Sequence, residues 1–195
     1  MMAQRDRADA VAALDVSRET LDRLDRYAEV VGKWQRMLNL VAPSTLPQLW
    51  TRHILDSAQL VDLVPATARR WVDLGSGGGF PALVVAAMAA DRIGFETILV
   101  ESDQRKAAFL RTAAREIGLA DRVSIRALRA EEAVPAIGEA DVVSARALAP
   151  LADLARLSAP LLARGALGVY PKGESIRREL TEWGPPDRFD VSLAP

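Results

Sequence analysis

The residues with the clearest chemical potential are glycines. Trp71-Val72-Asp73-Leu74 is a short apolar run, and Gly75-Ser76-Gly77-Gly78-Gly79-Phe80-Pro81 follows it directly. Glycine lets a backbone turn sharply and approach a ligand with no Cβ in between. Pro81 suits the first turn of a helix, where its missing N–H would be unbonded in any case. A helix starting there would offer free N–H groups and the positive end of a dipole. A tight strand-to-helix turn that binds nothing is the alternative, but it needs fewer glycines. The dinucleotide fingerprint G-x-G-x-x-G fits Gly75 and Gly77 but puts Phe80 where its last small residue belongs, which tells against NAD. A carboxylate supports an adenosyl ligand instead. The run Thr97-Ile98-Leu99-Val100 ends in Glu101, and an acid at the end of a second strand can accept both ribose hydroxyls. The alternative is that Glu101 caps the next helix, a task open to Ser102 or Asp103 instead.

Other reactive side chains are sparse. His53 is the only histidine, and as such it is open to three roles: general base, nucleic-acid contact or structural hydrogen-bonder. A metal site would need clustered carboxylates, and none is evident. Arg52 and Asp56 stand four apart, where a helix would let them pair. Arg105, Lys106, Arg111 and Arg115 lie on one helical stretch, diluted by Asp103 and Glu116, and read as a solvated face. Arg146 ends an apolar run, and in open α/β sheets ligands lie beyond the carboxyl ends of strands.

The elements that position these residues follow from periodicity. Leu21, Leu24, Tyr27, Val31, Trp34 and Leu38 recur at three and four, which predicts a helix capped by Ser17 and ended at Ala42-Pro43. A second helix, with Ser44 as cap and Pro47 in its first turn, carries Leu49, Trp50, Ile54, Leu55, Ala58 and Val61 inward and closes at Pro65. From Arg70 onward strands (71–74, 95–100, 123–127, 142–145, 166–170) alternate with helices (81–90, 104–117, 131–137, 151–163). The expected fold class is therefore α/β, a mostly parallel sheet with helices on both faces. Residues 1–195 make one domain, with 1–66 as a helical extension and 67–195 as the cofactor-binding core. The tail from Trp183 is proline-rich, with a strand-like run at 189–193. Trp34, Trp50 and Trp71 read as core.

Composition narrows the class further. A hydrophobic fraction of 50% and a charged fraction of 26% belong to an ordinary globular chain. No apolar run approaches a bilayer span, and 1–10 lacks the apolar core of a signal peptide, so a cytoplasmic location is expected. With no cysteine, disulfides, zinc–thiolate sites and thiol catalysis are excluded. The net charge of −1 means that any nucleic-acid contact must come from a local patch.

The motifs together resemble the small-subunit ribosomal RNA methyltransferase G (GidB, glucose-inhibited division protein B) family. The matching pieces are Asn39-Leu40, Arg52-His53-Ile54-Leu55-Asp56-Ser57, the stretch from Asp73 to Pro81, and Glu101-Ser102-Asp103-Gln104-Arg105-Lys106. They continue with Arg129-Ala130-Glu131-Glu132, Ser144-Ala145-Arg146-Ala147 and Lys172-Gly173, in family order over most of the chain. The resemblance implies a class I (Rossmann-like) methyltransferase fold, S-adenosylmethionine as donor, and N7 of guanosine 527 in the 530 loop of 16S rRNA as acceptor, in a bacterial cytoplasm. Carried over by position, the cofactor contacts are Gly75, Ser76, Gly77, Gly79, Phe80, Glu101, Ala130, Glu131 and Arg146. Arg52, His53, Asp56, Ser57 and Lys172 fall where the family faces RNA, on the small subunit or its assembly intermediate. No membrane or metal is implied. The chain departs from the family at Ala82 (usually glycine), Gln35 (usually asparagine) and Val41 (usually threonine), and in a short C-terminus.

Guanine N7 carries a free lone pair and loses no proton on methylation, so no general base is required and no catalytic residue is assigned. Alignment and electrostatics suffice. Two rivals stand beside this reading: a nicotinamide-dependent oxidoreductase, and a ribosome-associated protein that keeps the cofactor fold without turnover.

Overall fold

The structure, a computed structural model, describes residues 2–184 and 189–194. Strands β1 (Arg70–Leu74), β2 (Glu96–Val100), β3 (Val123–Arg126), β4 (Val142–Ala145) and β5 (Leu167–Val169) form one parallel sheet in the order β3-β2-β1-β4-β5. The central strands are buried along nearly their whole length, which is why they read as continuous apolar runs. The chain moves outward from β1 to β3, then returns to the other side of β1 with β4. That reversal is a topological switch point, where ligands of open α/β sheets sit. Register makes the consequence local. Leu74 pairs with Val100 on one side and Ala145 on the other, so Glu101 and Arg146 leave the sheet on either side of Gly75.

The helices divide between the two faces. Those nearest the sheet's first face are α4 (Ala82–Met88) and α5 (Gln104–Glu116), whose Leu83, Phe109 and Leu110 join Leu99 in one apolar cluster. On the other face α6 (Ala130–Ala133), the three-ten turn Val134–Ala136 and α7 (Leu151–Leu162) cover Val72, Leu74, Val143 and Ala145.

The N-terminal segment adds to the first face. In α1 (Met2–Ala13), Arg7 grips Asp25 of α2 (Arg18–Trp34) through two 2.6 Å bonds. The Ser17 hydroxyl accepts the Thr20 N–H at 3.1 Å and caps α2 as expected, and Leu24, Tyr27 and Val31 are fully buried. Helix α2 stops at Trp34, short of the expected end. The Gln35 side chain takes over there: its oxygen accepts the N–H groups of Leu40 and Val41 at 3.0 and 3.1 Å, and its amide donates to the Val41 carbonyl at 2.8 Å. A side chain that bonds the backbone this way competes with the helix.

The expected second helix is a succession: three-ten Pro43–Gln48, π-helix Trp50–Leu55, α3 (Asp56–Ala58) and three-ten Gln59–Leu63. Asp6 of α1 fastens its start, accepting the Trp50 N–H at 2.8 Å and the Thr51 hydroxyl at 2.5 Å. Leu49, Trp50, Ile54 and Ala58 point inward, Leu60 joins them, and Leu55 and Val61 are only partly buried. Beyond β5, α8 (Ile176–Trp183) packs on α7 and ends at Gly184 with φ +52°. It was absent from the sequence reading. The run 189–193 forms no strand, and Pro185 and Pro186 of the proline-rich tail lie outside the described residues.

Candidate active site

The glycine loop is shaped mostly by its own protein. A Cβ on Gly78 would stand 2.8 Å from the Leu40 carbonyl oxygen, and one on Gly79 would meet the Tyr27 hydroxyl and Leu83 at 2.7 Å. The Tyr27 hydroxyl also donates to the Gly78 carbonyl. The missing side chains at these two glycines make room for Leu40, Tyr27 and Leu83. Gly77 differs: only the Gly75 carbonyl comes within 4 Å of its added Cβ, at 3.7 Å, and its φ is +52°. Above Gly75 sits the Leu148 side chain, 2.7 Å from where a Cβ would be.

The N–H groups within the glycine loop are largely used. Those of Gly75 and Ser76 donate to the Val100 carbonyl at 2.9 and 3.0 Å, Gly79's to the Ser76 carbonyl at 2.7 Å, and Gly77's to Glu101 Oε2 at 2.8 Å. A pyrophosphate held at such a turn needs those donors. Their engagement tells against a dinucleotide and suits a cofactor without phosphate.

Glu101 is buried, and its second oxygen accepts the Asp103 N–H at 2.8 Å. Each carboxylate oxygen still has a lone pair for a hydroxyl. Asp103 caps α5 by accepting the N–H groups of Arg105 and Lys106, so Glu101 is not needed there. A cavity of about 90 Å³ lies beside it, walled by Gly75, Val100, Ser102, Ala130, Glu131 and Leu148. A larger cleft of about 580 Å³ shares Arg129, Glu131, Leu148 and Leu157 with it.

Arg146 is half-buried. Its Nη2 donates to His53 Nδ1 and reaches the Arg52 carbonyl at 3.5 Å, and its guanidinium lies 5.9 Å from the Phe80 ring centre. Among the described residues it forms no ion pair. Burial pulls its pKa down, against the favourable charges of Asp56, Tyr27 and Asp73. A half-buried cation without a counter-ion is costly, and an anionic ligand is one way to offset that cost. Ala147, directly after it, has φ +53°, a conformation that disfavours any residue with a Cβ.

Phe80 and Ser76, expected beside the cofactor, point their side chains into the protein. The Phe80 ring packs 5.1 Å from both Tyr27 and His53, and the Ser76 hydroxyl donates to the Asp73 carbonyl at 3.1 Å. Asp73 carries a feature that sequence reasoning missed. It is 1% exposed, its Oδ1 accepts the Ser144 hydroxyl at 2.6 Å, and its Oδ2 is buried without a partner among the described residues. Trp71 Nε1 donates to the same Ser144 hydroxyl at 2.8 Å. Burial pushes the Asp73 pKa up to about 7, tempered by the Ser144 and Ser76 hydroxyls. An acid inside an otherwise apolar strand was the available signal.

The residues assigned to RNA separate into two kinds. Arg52 and Asp56 are exposed, and among the described residues they form no ion pair with each other. The π-helix between them has a wider turn than the four-residue spacing requires. His53 and Ser57 are buried; the Ser57 hydroxyl donates to the His53 carbonyl at 2.5 Å. His53 Nε2 lies 2.8 Å from Thr45 Oγ1, and burial, then the charges of Arg146 and Arg52, lowers its pKa to about 4. Lys172 stands apart from these four. Its ammonium donates to the Ala149 carbonyl and to Glu179, both at 2.8 Å, while Glu179 accepts the Leu151 N–H at 2.9 Å. Lys172 thus ties α8 to the loop after Arg146.

Comparison with known proteins bears on this arrangement. The family model described as rRNA small subunit methyltransferase G (GidB) matches residues 20–184. A protein of that name from Parvibaculum lavamentivorans is 50% identical over 184 residues, 94% of this chain and 80% of the relative. Another from Methylobacterium radiotolerans is 46% identical and covers 100% of this chain and 90% of its own. In fold, the chain is similar to the SAH-bound Podospora anserina methyltransferase PaMTH1 (TM-score 0.60, 17% identity, 93% of each chain). It is also similar to cofactor-bound Rv0187 from MTB (TM-score 0.63, 19% identity, 85% of this chain and 79% of the other).

Proposed function

The chain belongs to the rRNA small subunit methyltransferase G family, and we propose that it methylates N7 of guanosine 527 in the 530 loop of 16S rRNA. As a member of that family it is an S-adenosylmethionine-dependent rRNA methyltransferase. The observation that carries the reading is the pairing across Gly75: a buried acid with lone pairs to spare on one side, and on the other a half-buried arginine that forms no ion pair among the described residues. The residues present fit the cofactor. Gly77 leaves open space, and Glu101 would accept the ribose hydroxyls, Ala130 and Glu131 would border the adenine, and Arg146 would meet the carboxylate end. When bound, S-adenosylmethionine supplies a methyl group on a positively charged sulfonium.

The protein's own part is alignment. N7 attacks through a lone pair already present, so no side chain has to remove a proton. Arg52 on the π-helix that backs Arg146 and Asp56 at the start of α3 stand exposed, which suits them to the RNA, and Lys172 orders the loop between Arg146 and α7. The acceptor is the small subunit or its assembly intermediate, in the cytoplasm. Residues 67–195 act as the cofactor core, with 1–66 as the extension that supplies the other wall.

The test is transfer of labelled methyl from S-adenosylmethionine to small subunits from cells lacking the enzyme, mapped by the strand cleavage that N7-methylguanosine permits. A single label in the 530 loop is expected. A label elsewhere overturns the acceptor, and cofactor binding with no label on any RNA selects a non-catalytic binding protein.

A further inference from the structure

Arginine carries only donors, so the contact between Arg146 Nη2 and His53 Nδ1 requires that nitrogen to be an acceptor. In a neutral ring the proton then sits on Nε2, facing Thr45 Oγ1 at 2.8 Å. The Thr45 hydroxyl cannot use that same direction to donate, and its own proton goes to the Ala42 carbonyl at 2.8 Å. The bonds therefore run one way: guanidinium to imidazole, imidazole to hydroxyl, hydroxyl to backbone. Phe80, 5.1 Å away, fixes the ring plane, and the Ser57 hydroxyl holds the His53 carbonyl. Of the charged groups around the ring, Arg146 and Arg52 oppose a proton on it and Asp6 favours one.

We propose that His53 is a positioning residue: a neutral imidazole, protonated on Nε2, that holds the Arg146 guanidinium in place for the cofactor without cancelling its charge. The inference rests on the reading of Arg146 as a cofactor contact and replaces contact with RNA as the role of His53. A carboxylate at this position would hold the arginine equally well, but it would also neutralise it and compete with the anionic end of the ligand. An apolar ring would leave the long side chain free to swing. Only a neutral acceptor gives orientation and leaves the charge available.

Because His53 is the only histidine, protein grown with ¹⁵N-histidine shows a single ring. Long-range ¹H–¹⁵N correlation of the native chain is expected to show a bare Nδ1 and a protonated Nε2, unchanged down to about pH 5. A protonated Nδ1, or averaged nitrogens, overturns the proposal. Binding of S-adenosylhomocysteine by calorimetry supplies the second readout. His53→Phe keeps the ring and loses the acceptor, and is expected to bind about tenfold more weakly, whereas His53→Asn, whose amide oxygen can stand where Nδ1 does, should stay within about threefold of the native chain. Native affinity in His53→Phe, or equal loss in both variants, refutes the positioning role. Should the native chain fail to bind S-adenosylhomocysteine at all, the cofactor reading falls and the role with it, while the spectrum still decides the tautomer.

Discussion

Glu101 and Arg146 flank the same glycine, yet they are held by different means. The acid is fixed by two backbone N–H groups, those of Gly77 and Asp103, which come from the sheet's own loops. The cation is held by side chains of the N-terminal segment: His53 directly, with Tyr27 and His53 buttressing Phe80 beneath it. One half of the site is thus built into the α/β core, and the other depends on a second stretch of chain docking correctly. The backbone-built half does not depend on distant side chains, whereas the docked half depends on His53, Tyr27 and Phe80 keeping their places.

The glycine loop separates these two dependences within neighbouring positions. Gly78→Ala would drive a methyl group to 2.8 Å from a main-chain oxygen that cannot rotate away, so the N-terminal segment must shift. A loss of roughly 3 to 4 kcal/mol in urea unfolding is expected. Gly77→Asp has room for its Cβ and costs only about 1 kcal/mol for its left-handed backbone. It places a second carboxylate beside Glu101, and cofactor binding should be abolished in a chain that remains folded. Gly77→Asp with unchanged affinity would remove the loop from the binding site.

That contrast explains what the sequence made legible. The strands, their order of alternation, the glycine loop and Glu101 follow from local patterns: apolar runs, turn residues and an acid at a strand end. The docking of the N-terminal segment depends on contacts between distant residues, such as Asp6 with Trp50 and Tyr27 with Gly78, which no periodicity records. Two prolines and a π-helical turn broke the expected second helix, and the four-residue pairing of Arg52 with Asp56 went with it. Helix α8 was hidden because its apolar face, Ile176, Leu180 and Trp183, is short and flanked by charge. The glycines were read as clearance for a ligand; at Gly78 and Gly79 they also give clearance to Leu40, Tyr27 and Leu83, which no local pattern records.

The two halves also carry opposed ionisations. Asp73, raised to about 7 from 3.8, keeps a proton in the native state that the unfolded chain releases, so it lowers stability as pH climbs from about 4 to 7. His53, lowered to about 4 from 6.5, refuses a proton that the unfolded chain binds, so it raises stability over nearly the same interval. The two slopes largely cancel in the native chain. Relative to it, Asp73→Asn should gain about 3 kcal/mol of stability between pH 4 and pH 7, and His53→Asn should lose a comparable amount. Urea midpoints across that range check both. Parallel profiles for all three chains would show that neither group titrates as its surroundings dictate.

The smallest effect on the fold is expected at Arg52, the point where the docked half meets solvent. Among the described residues its guanidinium makes only a long 3.5 Å contact with Gln48, and the carbonyl that it offers to Arg146 survives any substitution. Arg52→Ala should therefore change stability by less than about 0.5 kcal/mol and leave S-adenosylhomocysteine affinity intact. If the exposed side chain contacts a phosphate, methyl transfer to small subunits should slow severalfold through KM, and the salt dependence of RNA binding should flatten by about one counter-ion. Equal loss of cofactor and RNA binding would instead make Arg52 part of the scaffold under Arg146. The N-terminal segment would then serve the cofactor alone, and the RNA surface would have to be sought on the other side of Gly75.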